Sequence, residues 1–270
     1  MQTLSDQEFN KLCLFAKQNY GIDLSNKKTL VETKLLSYLA GKGYKSFLHF
    51  YHSLINDRTG NEAAFLVNRL TTNYTYFMRE AESFNFFRDT AVPYMAAAAD
   101  NGDLRIWSAG CSSGEEPYTL AMILKDHFGQ NELFWDTKIL ATDISTRVLE
   151  QALEATYGEE QIRDLPAVWK LKYFESDQNG RRRLVQAIRE GVIFRKFNLM
   201  EKYFPFKQKF HVIFCRNVMI YFDNETRKQL INRFYDFTET GGYLIVGVSE
   251  AINRRETKYK FIMPAVYRKE

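Results

Sequence analysis

Arg105-Ile106-Trp107-Ser108-Ala109-Gly110-Cys111-Ser112-Ser113-Gly114-Glu115-Glu116-Pro117-Tyr118 is the stretch that decides the fold. A short apolar run of strand character passes through small residues into a helical pattern, and two acids fall in that helix's first turn. A helix N-terminus carries partial positive charge and free N–H groups, so loops that bind phosphate leave it uncovered. Two carboxylates at that place repel a pyrophosphate but suit an ammonium. S-adenosylmethionine offers an adenosine, an ammonium and a sulfonium with no phosphate, so the turn points to that methyl donor. Gly110 and Gly114 do not make the Gly-x-Gly-x-x-Gly spacing of dinucleotide sites, which disfavours nicotinamide chemistry.

From Leu104 onward, short β-rich runs alternate with helical ones: Leu104–Ala109, Glu115–Phe128, Lys138–Thr142, Arg147–Glu154, Val192–Phe197, His211–Cys215, Glu225–Thr238 and Tyr243–Val248. Such alternation predicts a mostly parallel sheet with covering helices. Asp177-Gln178-Asn179-Gly180 reads as the turn of a small hairpin between Lys172–Glu175 and Arg182–Val185. Upstream, residues 5–78 show apolar residues at helical spacing, as in Phe9, Leu12 and Phe15/Ala16; Leu30, Leu35 and Leu39; Phe47, Phe50 and Leu54; Phe65, Leu66 and Leu70. Four short helices fit, with Ser5, Ser25 and Ser46 as N-caps. The expected plan is a helical N-terminal domain over 1–80, a linking helix over 81–102 broken at Pro93, and an α/β domain over 103–270 with a β-subdomain at about 170–190.

The chain has 270 residues, 45% of them hydrophobic, enough to bury a sizeable core. The uncharged stretch Thr90–Ala99 is too short for a bilayer span, so no membrane insertion is expected. Cys13, Cys111 and Cys215 are odd in number and far apart, which suits reduced thiols in a cytoplasm. His49, His52, His127 and His211 show no zinc spacing with them, and no metal is expected. Of the net charge of +4, residues 1–80 account for +3, with ten Lys/Arg against seven Asp/Glu. Lys27, Lys28, Lys34, Lys42 and Lys45 are either a solvated face or a surface for an acidic partner.

Three further constellations bear on chemistry. Asp143 ends the run Lys138-Ile139-Leu140-Ala141-Thr142, where an open α/β sheet places the acid that bonds ribose hydroxyls, though it also stands where a helix N-cap would. Phe214-Cys215-Arg216-Asn217-Val218-Met219-Ile220-Tyr221-Phe222 follows a buried strand, which sets Arg216, Asn217 and Tyr221 near the carboxyl edge; Tyr221 is equally compatible with the core. Leu70-Thr71-Thr72-Asn73-Tyr74-Thr75-Tyr76-Phe77-Met78-Arg79-Glu80 is dense in hydrogen-bonding groups and, alone, reads as a helix end with a salt-bridged arginine.

Thr72–Glu80, Gly110–Tyr118, Ala141-Thr142-Asp143-Ile144, Arg216–Phe222 and Gly247-Val248-Ser249-Glu250 resemble, in this order, the motif series of the CheR family of chemotaxis-receptor glutamate O-methyltransferases. The resemblance runs from about residue 5 to Tyr267. It implies a Rossmann-like α/β methyltransferase domain with a small inserted β-subdomain, preceded by an all-α N-terminal domain. It also implies S-adenosylmethionine as donor, S-adenosylhomocysteine as product, and the cytoplasmic helices of methyl-accepting receptors as substrate. Asn73, Thr75 and Arg79 would meet the methionine end of the donor, Glu116 would face it from the glycine turn, and Asp143 would hold the ribose. Asn198, Leu199, Arg216 and Asn217 would surround the adenosine, with Arg79 and Tyr221 shaping methyl transfer. A cytoplasmic monomer is expected. Departures from the family pattern are Ser113 for threonine, Met78 for phenylalanine and Val248 for histidine; the second helix, Lys34-Leu35-Leu36-Ser37-Tyr38-Leu39, lacks the usual arginines.

A methyltransferase acting on nucleic acid would suit a pI of about 8.8, but no Asp/Asn-Pro-Pro-Tyr or Pro-Cys element is present, so no nucleic-acid partner is expected. A donor-binding signalling module without turnover would keep Asp143 and the glycine turn and lose Arg79 or Tyr221; both are here.

Overall fold

A computed structural model describes residues 3–71, 74–98, 102–129, 134–176 and 180–270. The chain forms two compact units: Met1–Asn73 with Asn198–Met200 and Tyr221–Arg227, and Tyr74–Phe197 with Glu201–Ile220 and Lys228–Glu270.

The first unit is built on four helices, α1 (Asp6–Tyr20), α2 (Lys28–Gly41), α3 (Phe47–Asn56) and α4 (Asn61–Leu70). Ser5 opens α1 with a full capping box, its side chain accepting from Glu8 N while the Glu8 carboxylate accepts from Ser5 N. Ser46 caps α3 by accepting from His49 N. Ser25 caps nothing: its hydroxyl and N–H both go to Asp23, and α2 starts after Lys27 without a side-chain cap. The buried stripe of α2 is Val31, Leu35 and Leu39, so Leu35 and Leu39 face the core as expected, while Leu30 is 40% exposed and Val31 takes its place. Gly21 ends α1 in the left-handed region (φ 70°), and a Cβ there would lie 2.6 Å from Met200 Sδ. Asn198 Nδ2 donates to Asn19 O (2.7 Å), and Lys17 pairs with Asp223 (2.6 Å), which ties the two returning segments to α1.

The second unit carries strands β1 (Ile106–Ala109), β2 (Ile139–Asp143), β3 (Thr156–Tyr157), β4 (Phe174–Ser176), β5 (Arg182–Leu184), β6 (Val192–Lys196), β7 (Phe210–Cys215), β8 (Thr238–Val246), β9 (Lys260–Met263) and β10 (Val266–Arg268). Seven form one sheet in the order β6-β2-β1-β7-β8-β10-β9, parallel from β6 to β8, with the β9–β10 hairpin antiparallel at one end. All of β1 is buried and so is nearly all of β7, as parallel strands covered on both faces require. Trp107 is in register with Ile213, so Trp107 and Phe214 point to opposite faces. Trp107 packs against Phe206, Phe210 and Phe234, the last on the helix α11 (Asn224–Phe237). Phe214 meets Phe84 and Phe87.

Those two phenylalanines belong to the helix expected as a broken linker. It is continuous and packed on the sheet: α5 (Ala81–Phe86) runs through a π turn (Phe87–Ala91) into α6 (Val92–Ala98). The wider turn, closed by Val92 N to Phe87 O, admits Pro93, whose missing N–H would otherwise break the i→i−4 ladder. The remaining helices are α7 (Glu115–Phe128), α8 (Thr146–Glu154), α9 (Ala167–Tyr173) and α10 (Gln186–Arg189). The two strands expected on either side of the turn pair antiparallel as β4 and β5, while Asp177, Gln178 and Asn179 of the turn itself lie outside the described residues; β3 adds a third strand, giving the order β3-β5-β4. Among the described residues no helix is long and apolar enough to cross a membrane.

Candidate active site

Strand order reverses between β1 and β7, and open α/β sheets bind ligands outside the carboxyl ends of strands at such a point. The chain leaves β1 through a turn that closes on β2: Gly110 N and Cys111 N both donate to Thr142 O, at 2.8 and 2.9 Å. Gly110 (φ 89°) cannot be replaced without collision, since a Cβ would sit 2.3 Å from Val218 Cγ2. Asp143, at the end of β2, accepts from Ser112 N and Ser145 N, both at 2.9 Å. It is not the cap of α8; Ser145 is, accepting from Val148 N. Burial pushes the Asp143 carboxyl up, opposed by the N–H groups of Ser145, Ser112 and Ile144. A carboxylate has about four lone-pair directions, so room remains for a ribose hydroxyl.

The two acids of the first turn part company. Glu115 is wholly buried, holding the Ser113 hydroxyl (2.8 Å) and Gln161 Nε2 (2.7 Å), and burial lifts its pKa to about 7. It is part of the scaffold, not a second anchor for an ammonium, which corrects the reading of the pair. Glu116 accepts from the Ser108 hydroxyl (2.7 Å) and from Arg216 (3.1 Å). Burial raises its pKa and the Arg216 charge opposes that rise.

Arg216 is the hub. Its side chain is 3% exposed, donates to Glu116 and to Glu80 (3.3 Å), also donates to the Arg79 carbonyl, and lies over the Phe84 ring at 4.8 Å. Its Nε is buried without a hydrogen-bond partner among the described residues. Glu80 further accepts from Asn217 Nδ2 (3.1 Å) and Val248 N (3.0 Å). Burial alone would raise the Glu80 carboxyl, but Asn217, Val248 and Arg216 together hold it below its ordinary value. Glu250, fully buried, gathers the N–H groups of Asn217 (2.7 Å), Ile220 (3.0 Å) and Gly247 (2.8 Å). Met78, Glu80, Ser112 and Asn217 are non-glycine residues at φ between 48° and 61°, a conformation that costs energy and clusters at functional sites. Four of the motifs read separately in the sequence are therefore one network: Arg79-Glu80, Glu116, Arg216-Asn217 and Gly247–Glu250.

Arg79 donates from its guanidinium to Tyr74 O (2.7 Å); among the described residues no acid pairs with it, unlike the salt-bridged helix end read from the sequence. Thr75, Arg79, Glu116, Asp143, Arg216 and Asn217 belong to the second unit. Asn198, Leu199 and Tyr221 belong to the first, where Asn198 bonds Asn19 O and Met200 N and the Tyr221 carbonyl accepts from Asp23 N (2.8 Å). Asn73 lies outside the described residues. Glu80, Glu250 and Gln161 escaped the sequence reading as partners, although Glu80 and Glu250 stood within the quoted motifs.

A glycine turn at a sheet's reversal point and an acid ending the adjacent strand, with no phosphate-binding glycine spacing, define an α/β domain built to hold a nucleoside. Residues 73–267 match the family described as "CheR methyltransferase, SAM binding domain", and residues 7–71 match "CheR methyltransferase, all-alpha domain". A chemotaxis protein methyltransferase of Borreliella burgdorferi is 42% identical, covering 98% of this chain and 95% of its own length. One of Escherichia coli is 34% identical over 98% of this chain and 91% of its own, and one of Pseudomonas aeruginosa is 33% identical over 96% and 95%. The chain belongs to the CheR methyltransferase family and is an S-adenosylmethionine-dependent methyltransferase.

Proposed function

We propose that this enzyme methylates glutamate side chains of chemotaxis receptors, converting carboxylates to methyl esters. The observation that carries the reading is the continuous network from Glu116 through Arg216 to Arg79-Glu80 and Asn217, which gives the family's separate motifs one physical role beside the glycine turn. The relatives' names supply chemotaxis as the setting.

Bound S-adenosylmethionine supplies an electrophilic methyl group on a sulfonium. The donor set of the turn fits it: Asp143 keeps room for a ribose hydroxyl, and the Glu116 carboxylate lies where an ammonium is favoured over a phosphate. Arg216 and Asn217 secure that wall, and Thr75 and Arg79 meet the methionine end; Asn73, outside the described residues, takes that role from the motif alone. Asn198, Leu199 and Tyr221 take their roles from the motif alone. A glutamate acceptor, with a pKa of about 4.3, is already ionised at neutral pH and needs no general base. Arg79 can therefore act by orienting the acceptor carboxylate, and Tyr221 by fixing the geometry of approach. The working form is a cytoplasmic monomer whose partners are receptor helices, not nucleic acid.

The test is transfer of a tritiated methyl group to receptor-containing membranes. Label should appear on receptor protein and leave as methanol in mild alkali, as a carboxyl ester does. Alkali-stable label, or label on nucleic acid, overturns the proposal.

A further inference from the structure

The segment between β3 and α9 touches both pieces of chain on which the donor reading depends. The Tyr157 hydroxyl donates to Ser113 O (2.8 Å), and its ring meets the Phe77 ring edge-on, with centroids 4.8 Å apart. Gln161 is used at both ends: Nε2 donates to Glu115 Oε1 (2.7 Å), Oε1 accepts from Gly158 N (3.0 Å), and its backbone carbonyl accepts from Phe77 N (3.0 Å). Ser113 and Glu115 flank Gly114 in the glycine turn, while Phe77 sits between Thr75 and Arg79. Phe77 and Tyr157 are buried to 1% or less.

We infer that Gln161 and Tyr157 are positioning residues that hold the Thr75–Arg79 segment against the glycine turn and thereby set the enzyme's affinity for its methyl donor. The inference rests on the donor-site reading above. Three features separate such a role from ordinary packing. Glu115 is a fully buried acid whose carboxylate is spanned by Ser113 on one side and Gln161 on the other, and an apolar side chain would fill that space without the cost of burying polar atoms. Gly114 (φ 96°) brings the turn so near that a Cβ would lie 3.0 Å from the Tyr157 hydroxyl, so the approach is built for this contact. Tyr157 is itself a strand residue of the inserted sheet, paired with Arg182, so the insert is anchored at the donor turn.

The experiment combines calorimetric titration with S-adenosylhomocysteine, kinetics at varied S-adenosylmethionine, and thermal unfolding, on Gln161→Ala, Tyr157→Phe and Glu115→Gln. Loss of a buried hydrogen bond on this path should weaken product binding by up to about tenfold in Gln161→Ala and by roughly threefold in Tyr157→Phe, with the donor KM rising in step. Glu115→Gln keeps an acceptor for Gln161 and can turn its amide to the Ser113 hydroxyl, so it should stay within about twofold of the unsubstituted enzyme. Folded Gln161→Ala and Tyr157→Phe proteins of unchanged affinity overturn the inference, whatever their stability. So does a Glu115→Gln enzyme that falls as far as Gln161→Ala, because charge and not placement would then matter. Should Gln161→Ala fail to fold, Tyr157→Phe decides alone. Failure of the unsubstituted enzyme to bind S-adenosylhomocysteine sinks the donor-site reading instead, so the two failures are distinct.

Discussion

Replacing Arg216 by alanine removes a guanidinium with 3% side-chain exposure and strands two carboxylates, on Glu116 at 12% and Glu80 at 22% exposure. The lost contacts are those to Glu116, Glu80 and the Arg79 carbonyl, plus the stacking on Phe84. Deleting one partner of a buried ion pair costs about 3–5 kcal/mol, because the other charge stays buried without compensation. Glu80 retains bonds from Asn217 and Val248 and is the more exposed of the two, which favours the lower end of that range. At 2–4 °C per kcal/mol for a domain of this size, the unfolding transition of the second unit should fall by about 10 °C. Differential scanning calorimetry measures it. Adding Glu116→Gln to Arg216→Ala should recover part of the loss, since the second orphaned charge goes with it. A single variant that unfolds within about 2 °C of the parent, or a double variant no more stable than the single, would refute the argument that this chain of charges holds the site together.

Asp143→Ala should weaken donor binding by at least about tenfold in calorimetry, from a charge-assisted bond of about 1.5–3 kcal/mol; unchanged affinity would leave Asp143 only its tie to the β1 turn. Tyr221→Phe should lower turnover more than it weakens donor binding, and a full methylation rate would end the catalytic assignment. Because the Glu115 carboxyl titrates at about 7 when folded against 4.5 as its ordinary value, the folded state holds that proton more tightly. Its contribution to stability is therefore present at low pH and lost as pH rises through that interval. Glu115→Gln should remove this portion of the pH dependence in unfolding experiments, and identical profiles would contradict it. Asp223 precedes α11 and accepts from Thr226 N (2.8 Å), with its carboxyl held at about 2 chiefly by Lys17. Asp223→Ala should cost about 1 kcal/mol as a lost cap in urea unfolding, whereas Lys17→Ala, removing a partner that is 56% exposed, should cost much less. The Asp223 contribution should vanish as pH falls from the usual carboxylate range towards 2.

How far the sequence could be read depended on whether a feature was local. The β1–turn–α7 unit was legible because Ile106–Ala109, two glycines and the acids lie in one stretch. The sequence could not show that Glu115 turns inward and Glu116 towards Arg216. Every residue of α7 from Pro117 to Leu124 is buried, so the helix has no apolar stripe from which to judge a face. The β9–β10 hairpin went unseen because its strands are only four and three residues long, and β9 at the sheet edge has no fully buried position despite its apolar residues. Pro93 misled for a definite reason: a proline predicts a break only when the helix cannot widen, and the π turn before it does so. The partners of Arg216 are residues 80 and 116, distant along the chain, and nothing near Arg216 announces them. Gln161, in a connecting segment, has no sequence signature at all.

The pairing of Ile106 with Val212 joins strands more than a hundred residues apart in the chain, and it is this pairing that creates the reversal point. Everything on the β6 side of the sheet can be synthesised before β7 exists, so closing this long loop is a step of high contact order and correspondingly slow. During translation the nascent polypeptide can assemble β1, β2 and the glycine turn, yet it has no second wall until Cys215 to Asn217 leave the ribosome. Competence to bind the donor should therefore appear abruptly and late in synthesis, and a chain released before that point would expose the buried edge of β1 to neighbours.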